Sequence, residues 1–100
     1  MAVKLLMTWD ILPGREQEYF EFVVRDFIPG IQQMGMEPND AWYTMYGTQP
    51  QIMVAAQVST MSKLQNLLGS TDWKSLTQNL LDYVENLNIK VVPARSGFQL

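Results

Sequence analysis

Val3-Lys4-Leu5-Leu6-Met7-Thr8-Trp9-Asp10-Ile11-Leu12-Pro13-Gly14-Arg15-Glu16-Gln17-Glu18-Tyr19-Phe20 contains the change of period that decides the fold. Over 3–9 the residues alternate. Val3, Leu5, Met7 and Trp9 share one face of a strand, and Lys4, Leu6 and Thr8 share the other. Pro13-Gly14 punctuates a turn. From Arg15 the spacing is helical. Tyr19, Phe20, Val23, Phe27 and Ile31 form a stripe that Phe22, Val24 and Ile28 widen. The early glutamates suit the positive end of the helix dipole. Pro29-Gly30 is expected to break or kink this helix, because proline lacks an N–H and crowds the preceding turn. A further short turn over 31–34 closes at Gly35.

Two adjacent strands follow. The first is read over 40–47, with Trp42, Thr44 and Tyr46 opposed to Ala41, Tyr43 and Met45. Gly47 to Pro50 makes a short hairpin connection. The second is read over 51–58 and has an apolar centre on both faces. Ser59-Thr60 caps a short helix that Gly69 ends. Ser70 or Thr71 caps a longer one, with Asp72 in its first turn. Its stripe is Trp73, Leu76, Leu80, Leu81, Val84 and Leu87, and a last strand is read over 89–92, before Pro93. The order β-α-β-β-α-β is the split-βαβ signature, an α+β arrangement in which two helices cover one face of a four-stranded antiparallel sheet.

The chain of 100 residues fits one domain, 1–100. Its charged fraction of 17% is below the usual quarter, which leaves little polar surface to cover a small monomer. The net charge is −3 and the seven basic residues are scattered, so nucleic acid is not an expected partner. There is no cysteine and no histidine. That removes disulfides, thiol nucleophiles, the commonest general base and the usual haem and transition-metal ligands. Neither a metal nor a cofactor is expected, and the six glycines are dispersed rather than gathered in a phosphate loop. The N-terminus is too short and interrupted for a signal peptide, and no run approaches about 20 apolar residues, so a soluble cytoplasmic protein is expected.

The second sheet face must find a cover. Trp42, Tyr46, Met53 and Ala55 with alternate residues of the first strand supply a largely apolar surface. Pairing two such sheets would bury it at about 25 cal/mol per Å2, enough for an obligate dimer. The competing arrangement is a monomer covered by its own tail, 94–100.

Leu12 to Phe20, the Phe27-Ile28-Pro29-Gly30 break and Ser70-Thr71-Asp72-Trp73 resemble the dimeric α/β-barrel superfamily. The antibiotic-biosynthesis-monooxygenase-like and NIPSNAP-like members are the most similar. The resemblance spans nearly the whole chain. It implies a ferredoxin-like protomer, a homodimeric α/β barrel and a cavity between sheet and helices. Some members are cofactor-independent monooxygenases that set Asn, Trp and other groups around an aromatic substrate. Asn39, Trp42 and Trp73 are the candidates here.

Trp42 and Tyr46 are candidates to stack an aromatic ligand, or else dimer-core packing. Trp73 is a further binding candidate that also suits a core or interface. Asp10 and Asp40 lie at strand ends, where cavities open. Either carboxylate is a candidate base, and Asn39 and Arg95 are candidates to orient or hold a substrate. Turn chemistry for the aspartates and a surface or intersubunit salt bridge for Arg95 are the favoured readings of these residues. Three functions follow: a small-ligand-binding dimer with an apolar, aromatic-lined cavity, a monooxygenase-like enzyme acting on an aromatic or polyketide-like substrate, or a purely structural dimer.

Overall fold

The computed structural model describes residues 2–43 and 52–93, and of 39–43 the backbone. Strand β1 is Val3–Ile11, followed by helix α1 (Glu16–Phe22), a π-helical segment (Val23–Phe27) and helix α2 (Ile28–Gln33). Strands β2 (Glu37–Tyr43) and β3 (Ile52–Val58) come next. Helices α3 (Met61–Leu68) and α4 (Thr71–Leu80) and strand β4 (Val84–Pro93) complete the order. The sheet runs β2-β3-β1-β4, with each adjacent pair antiparallel. This is the split-βαβ arrangement expected from the sequence.

Local chemistry explains the joints. The Arg15 N–H donates to the Leu12 carbonyl at 3.0 Å across Pro13-Gly14, and Gly14 has φ +84°. Proline at the second position and a left-handed glycine at the third make a type II turn. At the end of α2, Gly35 has φ +95°, its N–H donates to Gln32, and the Met36 N–H donates to Ile31. That is a Schellman motif, with Ile31 and Met36 both buried as its apolar contact. The side-chain oxygens of Thr60 and Ser70 cap α3 and α4 by accepting from the Lys63 and Trp73 N–H groups.

Three expectations are corrected. Pro29-Gly30 does not end the first helix. The Ile28 N–H reaches back five residues to the Val23 carbonyl, and this π-turn precedes the proline. The extra residue also resets the buried stripe, which runs Tyr19, Phe22, Phe27, Ile31, with a step of five across the π segment. Phe20 and Val24, placed in that stripe by α-helical spacing, are 46% and 74% exposed. The third correction is at β4, which begins at Val84 rather than 89. Val84 and Leu87 continue the spacing of α4 in sequence, but a turn at 81–83 separates them from it and leaves Leu81 half exposed. Smaller shifts extend β1 to Ile11 and start β2 at Glu37. Positions 44–50 and 94–100 of the expected hairpin and tail lie outside the described residues.

The core lies between sheet and helices. Leu5, Met7, Trp9, Phe27, Ile31, Met36, Leu64 and Leu80 are its fully buried large side chains. Gly30 permits close helix packing: a Cβ there would sit 3.0 Å from Leu76 Cδ2.

Candidate functional site on the open sheet face

Helices cover the face of β1 that carries Val3, Leu5, Met7, Trp9 and Ile11. The opposite face carries Lys4, Leu6 and Thr8, all half-buried. Register extends it across the sheet. Leu6 pairs with Ala55 and Lys90, Thr8 with Met53 and Asn88, and Lys4 with Gln57 and Val92. Paired residues share a face, so these side chains form one surface. Leu6, Met53, Ala55 and Val92 give it an apolar strip. A groove of about 450 Å3 runs over it, lined by Leu6, Thr8, Met53, Asn88, Ile89 and Lys90. An apolar floor with a few polar groups is the usual make-up of a small-molecule site.

A second hollow of about 470 Å3 lies where α2, β3, α3 and α4 meet, with Met34, Leu67, Lys63 and Asp72 among its lining. Lys63 and Asp72 offer opposite charges there, and the Ser70 hydroxyl is engaged by Leu67 and Trp73. The sheet groove is the stronger site because its apolar floor lies on a face that no described helix covers.

Asp10 lies at the end of β1 and is 2% exposed. The register against β4 slips there, with Thr8 opposite Asn88 and Asp10 opposite Glu85. β4 thus carries one extra residue, a β-bulge. Asn86 in the bulge has φ +59°, and its Nδ2 donates to Asp10 Oδ2 at 2.9 Å. Asn tolerates the left-handed region because its short polar side chain bonds locally. The expected candidate base is therefore held inside a structural joint.

The other sequence candidates are dispersed. Trp73 is buried in the core at the start of α4. Asp40 pairs with Ala55 and Trp42 with Met53 in backbone register, next to a slip that leaves Asn39 as the extra residue of β2. Tyr46 and Arg95 lie outside the described residues. The described lining of the groove carries no aromatic ring. The space between sheet and helices, where the resemblance implied a cavity, holds Trp9, Tyr19 and Phe27. Trp9 stands edge-on to both rings, at centroid distances of 6.4 and 5.7 Å. Sequence reading did not single out Leu6, Thr8, Asn88, Lys90 or Asn86. Alternation marked the face of the first two. Asn86 and Asn88 fell outside the last strand as read over 89–92, and Lys90, inside it, was assigned no face.

Arg15 joins the turn after β1 to the one before β4. Its guanidinium lies 5.2 Å from the Tyr83 ring centre and donates to the Asp82 carbonyl at 3.1 Å. Tyr83 stacks on Phe22. Among the described residues no three carboxylates gather where a metal could sit. No described helix is long and apolar enough to cross a membrane.

No family model and no curated protein matches this chain. Solved structures do. A NIPSNAP-like domain protein from Burkholderia xenovorans superposes with a TM-score of 0.72 at 13% identity, covering 99% of this chain and 90% of that one. A NIPSNAP family protein from Agrobacterium tumefaciens gives 0.71 at 14% identity, covering 95% and 87%. A dimeric protein of unknown function and ferredoxin-like fold from Bacteroides fragilis gives 0.64 at 10%, covering 93% and 96%. The fold is ferredoxin-like. It is the fold that the resemblance implied, and it is shared with NIPSNAP proteins across almost the full length of both chains.

Proposed function

We propose that this protein is a small-ligand-binding homodimer in which a second copy closes the groove on the open sheet face. The observation that carries this reading is the groove itself, with Leu6 and Met53 beneath it and Thr8, Asn88 and Lys90 as polar handles. A face of this composition is more apolar than a solvated sheet requires. The Bacteroides fragilis protein with the same fold is dimeric, which supports the pairing. Trp42, in register with Met53, is the ring we assign to the same ligand.

The test uses 8-anilinonaphthalene-1-sulfonate, an apolar aromatic anion that fluoresces when shielded from water. Saturable binding by the native protein, weakened roughly tenfold by Met53→Glu and by Trp42→Ala at unchanged fold, is the expected result. Equal affinity in wild type and both variants would overturn it.

A further inference from the structure

Register sets the residues of the open face in rows across the sheet. One row runs Asp40, Ala55, Leu6, Lys90, and the next runs Trp42, Met53, Thr8, Asn88. Leu6, Ala55 and Met53 make an apolar middle, where Ala55 is 3% exposed. Lys90 and Asn88 stand two residues apart on β4, an edge strand, and so share a face about 7 Å from each other. Thr8 adjoins Asn88 on β1. Among the described residues, the Thr8, Asn88 and Lys90 side chains have no hydrogen-bond or ion-pair partner. One corner of the groove therefore offers an ammonium, a carboxamide and a hydroxyl.

Lys90 is the one charged residue in the described lining. The acidic residues of the sheet stand away from it. Asp40 is at the far end of its row, three strand spacings or about 14 Å off. Glu37 is one row further along, opposite Gln57. Glu85 is five residues away on β4, beyond the bulge, and Asp10 opposite it is 2% exposed and bonded to Asn86. These separations exceed the Debye length of about 8 Å at physiological salt, so the carboxylates leave the positive charge of Lys90 largely uncancelled. Lys4, diagonal to Lys90 and outside the lining, adds to it.

We propose that the ligand of this groove is an amphipathic carboxylate, an apolar chain or ring that ends in a single anionic head. The head meets Lys90 and Asn88 at the β4 edge. The body crosses β1 toward Met53 and Ala55, two strand spacings or about 10 Å away. Ammonium–carboxylate hydrogen bonds are stronger than neutral ones, and a head at the rim keeps part of its water, so desolvation does not outweigh the attraction. One ammonium in the lining matches one negative charge, which favours a carboxylate over a phosphate monoester that is mostly dianionic at neutral pH. This rests on the groove reading proposed above and adds the class of ligand.

Octanoate, octanamide and octylammonium share a chain and differ in the charge of the head. Titration calorimetry with each probe, on the native protein and on Lys90→Gln, Lys90→Arg and Met53→Glu, tests the proposal, with circular dichroism confirming the fold. Octanoate is expected to bind roughly tenfold tighter than octanamide, and octylammonium more weakly than either. Lys90→Gln should weaken octanoate roughly tenfold and leave octanamide within about twofold, Lys90→Arg should keep the preference, and Met53→Glu should weaken octanamide as well. Equal affinity for octanoate and octanamide, or an equal loss of both in Lys90→Gln, would overturn the carboxylate while leaving the groove standing. So would a protein that binds 8-anilinonaphthalene-1-sulfonate and not octanoate. Octanamide affinity unchanged by Met53→Glu would overturn the groove and the carboxylate together.

Discussion

Trp9 Nε1 donates a hydrogen bond of 2.9 Å to Tyr19 Oη inside the core, tying β1 to α1 through two side chains that are both almost fully buried. Burial raises the Tyr19 hydroxyl from 10.0 to about 12, and the bond from Trp9 pulls the other way. The phenol therefore holds its proton more tightly when folded than when unfolded. The stability that follows is fully present below pH 10 and is lost as pH rises from 10 toward 12, at about 1.4 kcal/mol per pH unit. An absorbance titration should show one tyrosine ionising late, near 12, rather than with the others. An early, reversible ionisation of every tyrosine near 10 would refute this. Tyr19→Phe strands the indole N–H and should cost about 1–3 kcal/mol in urea unfolding.

Asn86 serves the bulge in two ways, by its left-handed backbone and by its bond to buried Asp10. Asn86→Gly keeps the first and loses the second. Asn86→Ala loses both. Alanine should be the more destabilising, by about 1 kcal/mol over glycine. Asp10→Ala should leave that difference between the two Asn86 variants unchanged, because neither of them makes the bond. Chemical denaturation of the set checks the order, and an alanine variant as stable as glycine would show that the backbone conformation carries no cost.

The π segment is one residue too long for an α-helix, and Val24 in it is largely exposed. Deleting Val24 would bring Tyr19, Phe22, Phe27 and Ile31 into ordinary steps of three, four and four. The deletion alone should destabilise, because Pro29 would then sit inside a regular α-helix at a cost of about 3 kcal/mol. Deletion combined with Pro29→Ala should recover most of that loss. Thermal melts of the two variants decide the matter, and equal melting points would refute the link between the π-turn and the proline.

Gly30 faces Leu76 so closely that an added methyl forces the leucine aside. Gly30→Ala gains about 1 kcal/mol of helix propensity and loses it to this contact, so its net effect should be small. In a Leu76→Ala background the contact is gone, and Gly30→Ala should stabilise by close to the full propensity difference. A double-mutant cycle measures the coupling, and an equal effect in both backgrounds would show that the two side chains do not meet.

The strand-turn-helix start was legible because three signals agree there: alternation in β1, Pro13-Gly14 and the amphipathic spacing after Arg15. Alternation put Trp9 on the face of Val3, Leu5 and Met7, and that face is the one the helices cover. Two places misled for physical reasons. A π-turn adds a residue that no α-helical count anticipates, so Phe20 and Val24 were placed inward. Val84 and Leu87 fit the period of α4 but, three apart, not the strict alternation of a strand; the pairing of Val84 with Ile11 and of Glu85 with Asp10, with a bulge before Asn88, settles the matter in favour of the strand. The open face was legible in outline from Leu6, Met53 and Ala55. Its polar groups on β4 were not, because strand register is a long-range property that composition does not encode.

Sedimentation equilibrium of the native chain tests the central claim most directly, with Ala55→Arg as its control. Ala55 is at the middle of the open face, paired with Leu6. The account predicts a mass of twice 11.5 kDa for the wild type and a folded monomer for the variant. A wild type that stays monomeric at every concentration, or a variant that still dimerises as tightly, would contradict it.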